Sequence, residues 1–347
     1  MPQFAEYVPS RWLRVPSAIA GHAQTIVPAT LCPRPRVTYR RTRIDTPDGD
    51  FVDFDWLAIP STASSAPVDA PLVILFHGLE GSSQSHYAVA MMHELALRSW
   101  HGVVPHFRGC SGEPNRLARA YHSGDSVEIA WMLQTLLTQH LKNHAHSTSS
   151  SIGPVYAVGV SLGGNALLKW LGEQGAAASS LVTRAAAVSA PVDLAAGGHA
   201  LARGANRLYT RMFLQTLKAK SAAKLRTHPG AFDETAMQAA RNLYEFDNVV
   251  TAPLHGFRDT NDYWARASAL PWLKSIAVPT LVLNAKNDPF LPRAALPTTQ
   301  HISASVTLAQ PEHGGHVGFM TSLSQSGLAW LPEQLLNFLH PSPSALP

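Results

Sequence analysis

A serine flanked by glycines, in Gly159-Val160-Ser161-Leu162-Gly163, has the type and spacing of a nucleophile. The apolar run Pro154-Val155-Tyr156-Ala157-Val158 before it reads as a strand. The run Asn165-Ala166-Leu167-Leu168-Lys169-Trp170-Leu171 after it reads as a helix. A serine held on a sharp strand-to-helix turn is exposed to substrate, and its neighbours must be glycine because a side chain would collide there. The chemistry this predicts is attack on a carbonyl carbon. In a chain of this length the pattern arises by chance about 0.1 times, so the flanking strand and helix carry part of the weight.

A serine hydroxyl is inert at neutral pH until a base takes its proton, so an acid and a histidine must follow, in that order along the chain. His316 fits the base. It lies in Glu312-His313-Gly314-Gly315-His316-Val317-Gly318-Phe319, just after the last predicted strand, where glycines on both sides let the loop swing an imidazole over the strand ends. His313 competes for the role but sits closer to the strand. Asp288 fits the acid that fixes the imidazole tautomer; it follows the predicted strand 280–284 through Ala285-Lys286-Asn287. Asp193, after Ala190-Pro191-Val192, is the alternative at the previous strand end, and its plainer role is a helix cap. The oxyanion must be held by main-chain donors, for which the spacing offers the N–H of Leu162 and the N–H of Leu79. His77 shapes the turn before Leu79 rather than acting as a base. Arg108 is expected to pair with Asp125, or Asp125 to cap the following helix. Cys110 can line the site but has no base of its own.

The elements that must position these groups alternate. Residues 36–58 read as a hairpin turning at Pro47-Asp48-Gly49-Asp50. Residues 60–70 and His146 to Gly153 read as loops. The continuous apolar run Leu72-Val73-Ile74-Leu75-Phe76 is the signature of a strand buried on both faces of a parallel sheet. A helix of about 14 residues capped by Ser85 should follow. Next come a strand at 103–107, a helix with Val127, Ala130, Leu133, Leu137 and Leu141 on its buried stripe, the strand before Ser161, and strands near 185–189, 280–284 and 305–308. This alternation predicts an α/β fold, a mostly parallel twisted sheet with helices on both faces. Between residues 194 and 271 only helices are expected, at 201–217, 234–244 and 262–269, forming a cap inserted after the sixth strand. The predicted organisation is an N-terminal arm (1–35, with Tyr7, Trp12, Ile19 and Ile26) packed on a core made of residues 36–193 and 272–347.

Composition bounds the alternatives. The chain has 347 residues, of which 46% are hydrophobic and 14% charged, with 26 prolines and a net charge of +4. A large core is available, and coiled-coil and disordered classes are excluded. Arg34, Arg36, Arg40, Arg41 and Arg43 form the densest basic cluster, read as a solvated strand edge, and no nucleic-acid motif accompanies them. Two cysteines, Cys32 and Cys110, make no disulfide framework or zinc spacing, which points to the cytoplasm. The N-terminal residues lack the apolar core of a signal peptide, and no apolar run approaches 18 residues. Peripheral lipid contact and the oligomeric state stay open.

Several segments together carry a family resemblance. They are Gly21-His22-Ala23-Gln24-Thr25, His77-Gly78-Leu79-Glu80-Gly81-Ser82 with His86-Tyr87, Phe107-Arg108-Gly109-Cys110-Ser111-Gly112, the Ser161 turn, Asn287-Asp288-Pro289-Phe290 and Gly314 to Phe319. In these the chain resembles the YheT-like branch of the α/β-hydrolases over nearly its whole length. The resemblance implies the α/β-hydrolase fold and a serine carboxylesterase or lipase-like activity, with Ser161, Asp288 and His316 as triad. It implies no metal or organic cofactor, and a small-molecule ester as partner. An acyltransferase using the same residues is the alternative; a non-catalytic binding protein would require loss of a triad member, and none is lost.

Overall fold

The computed structural model of the protein describes residues 6–10, 17–58, 66–144 and 153–341. An N-terminal helix α1 (Ser17–Thr30) precedes the hairpin strands β1 (Tyr39–Asp45) and β2 (Phe51–Leu57). Strand–helix alternation follows: β3 (Leu72–Phe76), α2 (His86–Leu97), β4 (His101–Pro105), α3 (Ser126–His144), β5 (Val155–Val160), α4 (Leu162–Gln174) and β6 (Arg184–Val188). Then come α5 (Leu194–Leu201), α6 (Arg207–Thr227), α7 (Glu234–Ala239), α8 (Leu243–Phe246), α9 (Ala252–Leu254) and α10 (Thr260–Ala267), and finally β7 (Thr280–Leu283), β8 (Val306–Ala309) and α11 (Trp330–Leu339).

The eight strands form one sheet in the order β1-β2-β4-β3-β5-β6-β7-β8. β1–β2 and β2–β4 pair antiparallel, and every other pair is parallel. All of β3 and β5 is buried, as expected of strands covered on both faces. One core cluster packs α3 and α4 on one face, around Phe54, Phe76, Met132 and Trp170. The other packs α2 and α11 on the opposite face, around Leu75, Met91, Val158 and Phe338. The parallel register places the C-terminal ends of β3, β5, β6 and β7 side by side, which is where open α/β sheets collect their functional loops.

β1 is an edge strand, and three residues of the predicted basic cluster, Arg40, Arg41 and Arg43, lie along it. Arg41 and Arg43 make bidentate pairs to Asp55 and Asp53 on β2. Charge along an exposed edge also discourages pairing with another chain.

Several local expectations shift. The fourth strand ends at Pro105, because the chain turns into the site there and the Phe107 N–H donates to the His77 ring. In α3 the buried face is Ile129, Met132, Leu133 and Leu136, while Val127 is 75% and Leu141 49% exposed. Ser85 occupies the N-cap of α2, but its hydroxyl accepts from Ser82 N–H instead of capping the helix. The expected helix 201–217 is two helices, α5 and α6, interrupted at residues 202–206, and 234–244 is likewise split at residues 240–242. Arg108 pairs with Glu128, Asp50 and Asp48, not with Asp125. Asp125 caps α3, the other expectation for it, accepting from Glu128 N–H, and pairs with Arg119.

Of the expected arm, Tyr7 is buried against Phe319 and Trp330 and donates its hydroxyl to Met320 O. Ile19 and Ile26 are exposed. Trp12, most of the 60–70 loop and most of the loop from His146 to Gly153 lie outside the described residues.

Candidate active site

β5 runs straight into α4 through Ser161, which adopts φ 52° and ψ −119°. A non-glycine residue in that region costs on the order of 1–3 kcal/mol, a strain the packed strand and helix must sustain. They do so through close approach. A Cβ on Gly163 would meet Phe76 O at 2.6 Å, and one on Gly159 would meet Gly163 O at 2.6 Å, so both glycines are required sterically. Ser161 N–H donates to Val188 O on β6 at 2.8 Å, fixing the turn against the neighbouring strand.

The loop after β7 brings Asp288 alongside, and the loop after β8 brings His316. His316 Nδ1–H donates to Asp288 Oδ2 at 2.8 Å, which leaves Nε2 to accept from the Ser161 hydroxyl at 2.9 Å. The second carboxylate oxygen of Asp288 accepts from Phe290 N–H at 2.8 Å. The Phe290 ring stacks on the imidazole, with centroids 4.1 Å apart, and so sets the plane in which it lies. Three side chains distant along the chain therefore meet in one line of hydrogen bonds. His313 is exposed, and among the described residues it is His316 whose ring bonds the Ser161 hydroxyl. Asp193 caps α5, accepting from Ala196 N–H at 3.0 Å, its plainer role.

The loop after β3 faces Ser161 from the other side. His77 is fully buried, and burial pushes its pKa down to about 3, so it is neutral across the working pH range. Its Nε2 accepts from Phe107 N–H, so its Nδ1–H donates, to Gly78 O at 2.8 Å. That carbonyl belongs to the same trans peptide unit as the Leu79 N–H, and the two groups point in opposite directions. Pinning the carbonyl therefore aims the Leu79 N–H. On either side of Leu79, Gly78 N–H donates to Tyr87 Oη and Glu80 N–H to Tyr121 Oη, each at 2.9 Å. The N–H groups of Leu79 and Leu162 have no protein acceptor among the described residues. Leu162 is also the first residue of α4, where the helix dipole favours negative charge.

A cavity of about 940 Å³ opens above Ser161, lined by Leu79, Leu162 and His316 and, from the helices between β6 and β7, by Leu194, Phe213, Phe246 and Trp264 among others. Its size is that of a site for a drug-sized ligand. Leu201 also lines the cavity, as does Phe213, whereas Leu208 and Met212 are more than half exposed. Cys110 also lines the cavity, but burial pushes its thiol up to about 12, so it stays protonated and unreactive.

Residues 71–323 match the family model described as alpha/beta hydrolase fold. YheT from Escherichia coli (strain K12), a provisionally named esterase, is 38% identical over 338 residues, covering 96% of this chain and 93% of YheT. The chain belongs to the YheT-like α/β-hydrolases. Phospholipase ABHD3 from Homo sapiens is 30% identical over 322 residues, covering 91% of this chain and 74% of the relative. Among solved structures, the esterase EaEST from Exiguobacterium antarcticum superposes with a TM-score of 0.50 at 18% identity, covering 86% of this chain and 99% of that one, a likeness of fold. Among the described residues of this YheT-like hydrolase, no helix is long and apolar enough to cross a membrane.

Sequence reasoning missed several residues that shape the site. Phe290 is legible only as part of a family-like segment, and Tyr87 and Tyr121 carry no sequence signal for accepting main-chain N–H groups. Ser189, at φ 50°, accepts from Val317 N–H at 3.1 Å and braces the loop that carries His316. Gln24 and Thr25 were visible only as part of a family-like N-terminal segment.

Proposed function

We propose that the protein is a serine hydrolase that cleaves carboxylic esters of short- to medium-chain acyl groups through an acyl-enzyme. The observation that carries this reading is the Ser161–His316–Asp288 hydrogen-bond line, 2.9 and 2.8 Å, at the floor of a largely apolar cavity. In the forward step Ser161 Oγ attacks the ester carbonyl carbon as His316 Nε2 takes the hydroxyl proton. Asp288 stabilises the imidazolium that results. The carbonyl oxygen, now carrying the negative charge, is held by the N–H groups of Leu79 and Leu162. Collapse of the tetrahedral intermediate breaks the C–O bond to the alcohol, which leaves with the proton from His316. Water, deprotonated by the same imidazole, then releases the acid and restores Ser161. Every bond made and broken is served by this chain's own groups.

Relatives bearing the names esterase and phospholipase support ester chemistry for this chain. In this reading residues 194–271 form a cap over the acyl group, residues 1–35 an arm, and residues 36–193 with 272–347 the core. Two free, buried cysteines fit a reducing compartment, the cytoplasm. The test is a series of p-nitrophenyl esters from acetate to palmitate. We expect kcat/KM to peak at short to medium acyl lengths and to fall as the chain outgrows the cavity. Absence of hydrolysis across the whole series would overturn the reading.

A further inference from the structure

The acid and the base reach Ser161 on two separate loops, one after β7 and one after β8. Both loops are tied to a third segment, the N-terminal helix α1, which lies outside the residues that the family model matches. Gln24 is 1% exposed. Its Oε1 accepts from Asn287 Nδ2 at 2.9 Å and from Gly314 N–H at 2.8 Å. Asn287 immediately precedes the acid, and its own Oδ1 accepts from Gly315 N–H at 3.0 Å, immediately before the base. Thr25 Oγ1 accepts from the main-chain N–H of His316 itself at 2.8 Å and donates to Gly21 O at 2.7 Å. The approach is close enough to dictate residue type: a Cβ on Gly318 would collide with Gln24 O, and one on Gly21 with Asn287 O. From the far side His86 Nε2–H donates to Val317 O at 3.0 Å.

We propose that Gln24 and Thr25 are positioning residues: they join the Asp288 loop to the His316 loop and set the separation at which the acid and base meet. The proposal rests on the reading of Ser161, Asp288 and His316 as the reacting triad. The bridge has a physical logic. The dyad has a single hydrogen bond of its own, so its geometry depends on how the two loops are held together. Each α1 bond is made to a group within one or two residues of Asp288 or His316, so a shift of the helix becomes a shift of the imidazole. Catalysis is sensitive to such shifts, since a displacement of about 1 Å costs roughly 100-fold in rate. Neither side chain touches the cavity, so substrate affinity should not depend on them.

The test uses the full-length protein with the best p-nitrophenyl ester. Thr25→Val keeps the shape and removes the acceptor for His316 N–H. Gln24→Met keeps most of the volume and removes the shared acceptor. Thr25→Ser retains the hydroxyl. Activity is normalised to active sites counted by stoichiometric phosphonate labelling, and Tm is recorded for each variant. We expect Thr25→Val and Gln24→Met to lower kcat by roughly 10- to 100-fold with KM little changed, and Thr25→Ser to recover most of the loss. A kcat per active site within about twofold of the parent in Thr25→Val would overturn the proposal, as would a loss that merely follows the folded fraction. Ser161→Ala is run alongside. If it remains active, the triad reading and this proposal fall together; if it is inactive while Thr25→Val is fully active, only the positioning role is lost. Should Gln24→Met fail to fold, the Thr25 pair decides the matter alone.

Discussion

Replacing Ser161 with alanine is expected to lower turnover by about 10⁴- to 10⁶-fold with the fold intact. The size of the effect follows from what is removed. Among the described residues, the hydroxyl is the group at the cavity floor positioned both to attack a carbonyl and to pass its proton to His316 Nε2, 2.9 Å away. The residual rate would come from the Leu79 and Leu162 donors and from binding alone. The fold should survive because alanine at φ 52° carries the strain that serine already carries, and the bracing bond from residue 161 to Val188 O is main chain. The check is kcat of the purified variant together with an unchanged Tm. A variant that keeps a tenth or more of the parent activity would show that another group is the nucleophile.

The second large effect separates two aspartates. Asp288→Asn should lose about 10⁴-fold in kcat. Asp288 uses both oxygens as acceptors, one from His316 Nδ1–H and one from Phe290 N–H. An asparagine has one acceptor oxygen. If that oxygen serves Phe290, its NH₂ faces the ring, Nδ1 must accept, and the proton moves to Nε2, where it blocks transfer from Ser161. If it serves the ring instead, the Phe290 N–H is left facing a donor. Asp193→Asn, by contrast, replaces one good helix N-cap with another, so its activity should stay within about tenfold of the parent. Measuring kcat for the two variants side by side checks the assignment, and a reversed ranking would contradict it.

The parts of this protein that steric and chemical necessity dictate are the parts readable in its sequence. Ser161 stands out because only glycine fits at 159 and 163, where main chain passes within 2.6 Å of where a Cβ would be. Asp288 and His316 stand out because they lie in the loops after the last two strands, in the order the chemistry needs. The fully buried strand β3 is legible because it is apolar without interruption. The register of amphipathic helices is less so. In α3, Val127 and Leu141 share a stripe with Leu133, yet the helix rolls so that Ile129, Met132 and Leu136 face the sheet. Periodicity fits more than one rotation there, and packing chooses between them. The boundary of β4 is hidden for another reason: Phe107 is apolar and extends the pattern, but its N–H serves His77 rather than the ladder. The breaks among the helices between β6 and β7 have the same character, since nothing apolar in 201–217 marks the interruption before Arg207. Least legible is the role of Gln24 and Thr25. Two polar residues in a short helix give no local hint of partners some 263 to 291 positions away.

The account rests on Ser161 becoming acylated. Mixing the enzyme with p-nitrophenyl butyrate, quenching in acid within milliseconds and mapping the peptides by mass spectrometry tests this directly. The account predicts a butyryl mass on the peptide carrying Gly159 to Gly163, localised to Ser161, that appears in the parent enzyme before the steady state and is absent from Ser161→Ala. A butyryl group found on any other side chain, or turnover with no covalent adduct under those conditions in any variant, would contradict it.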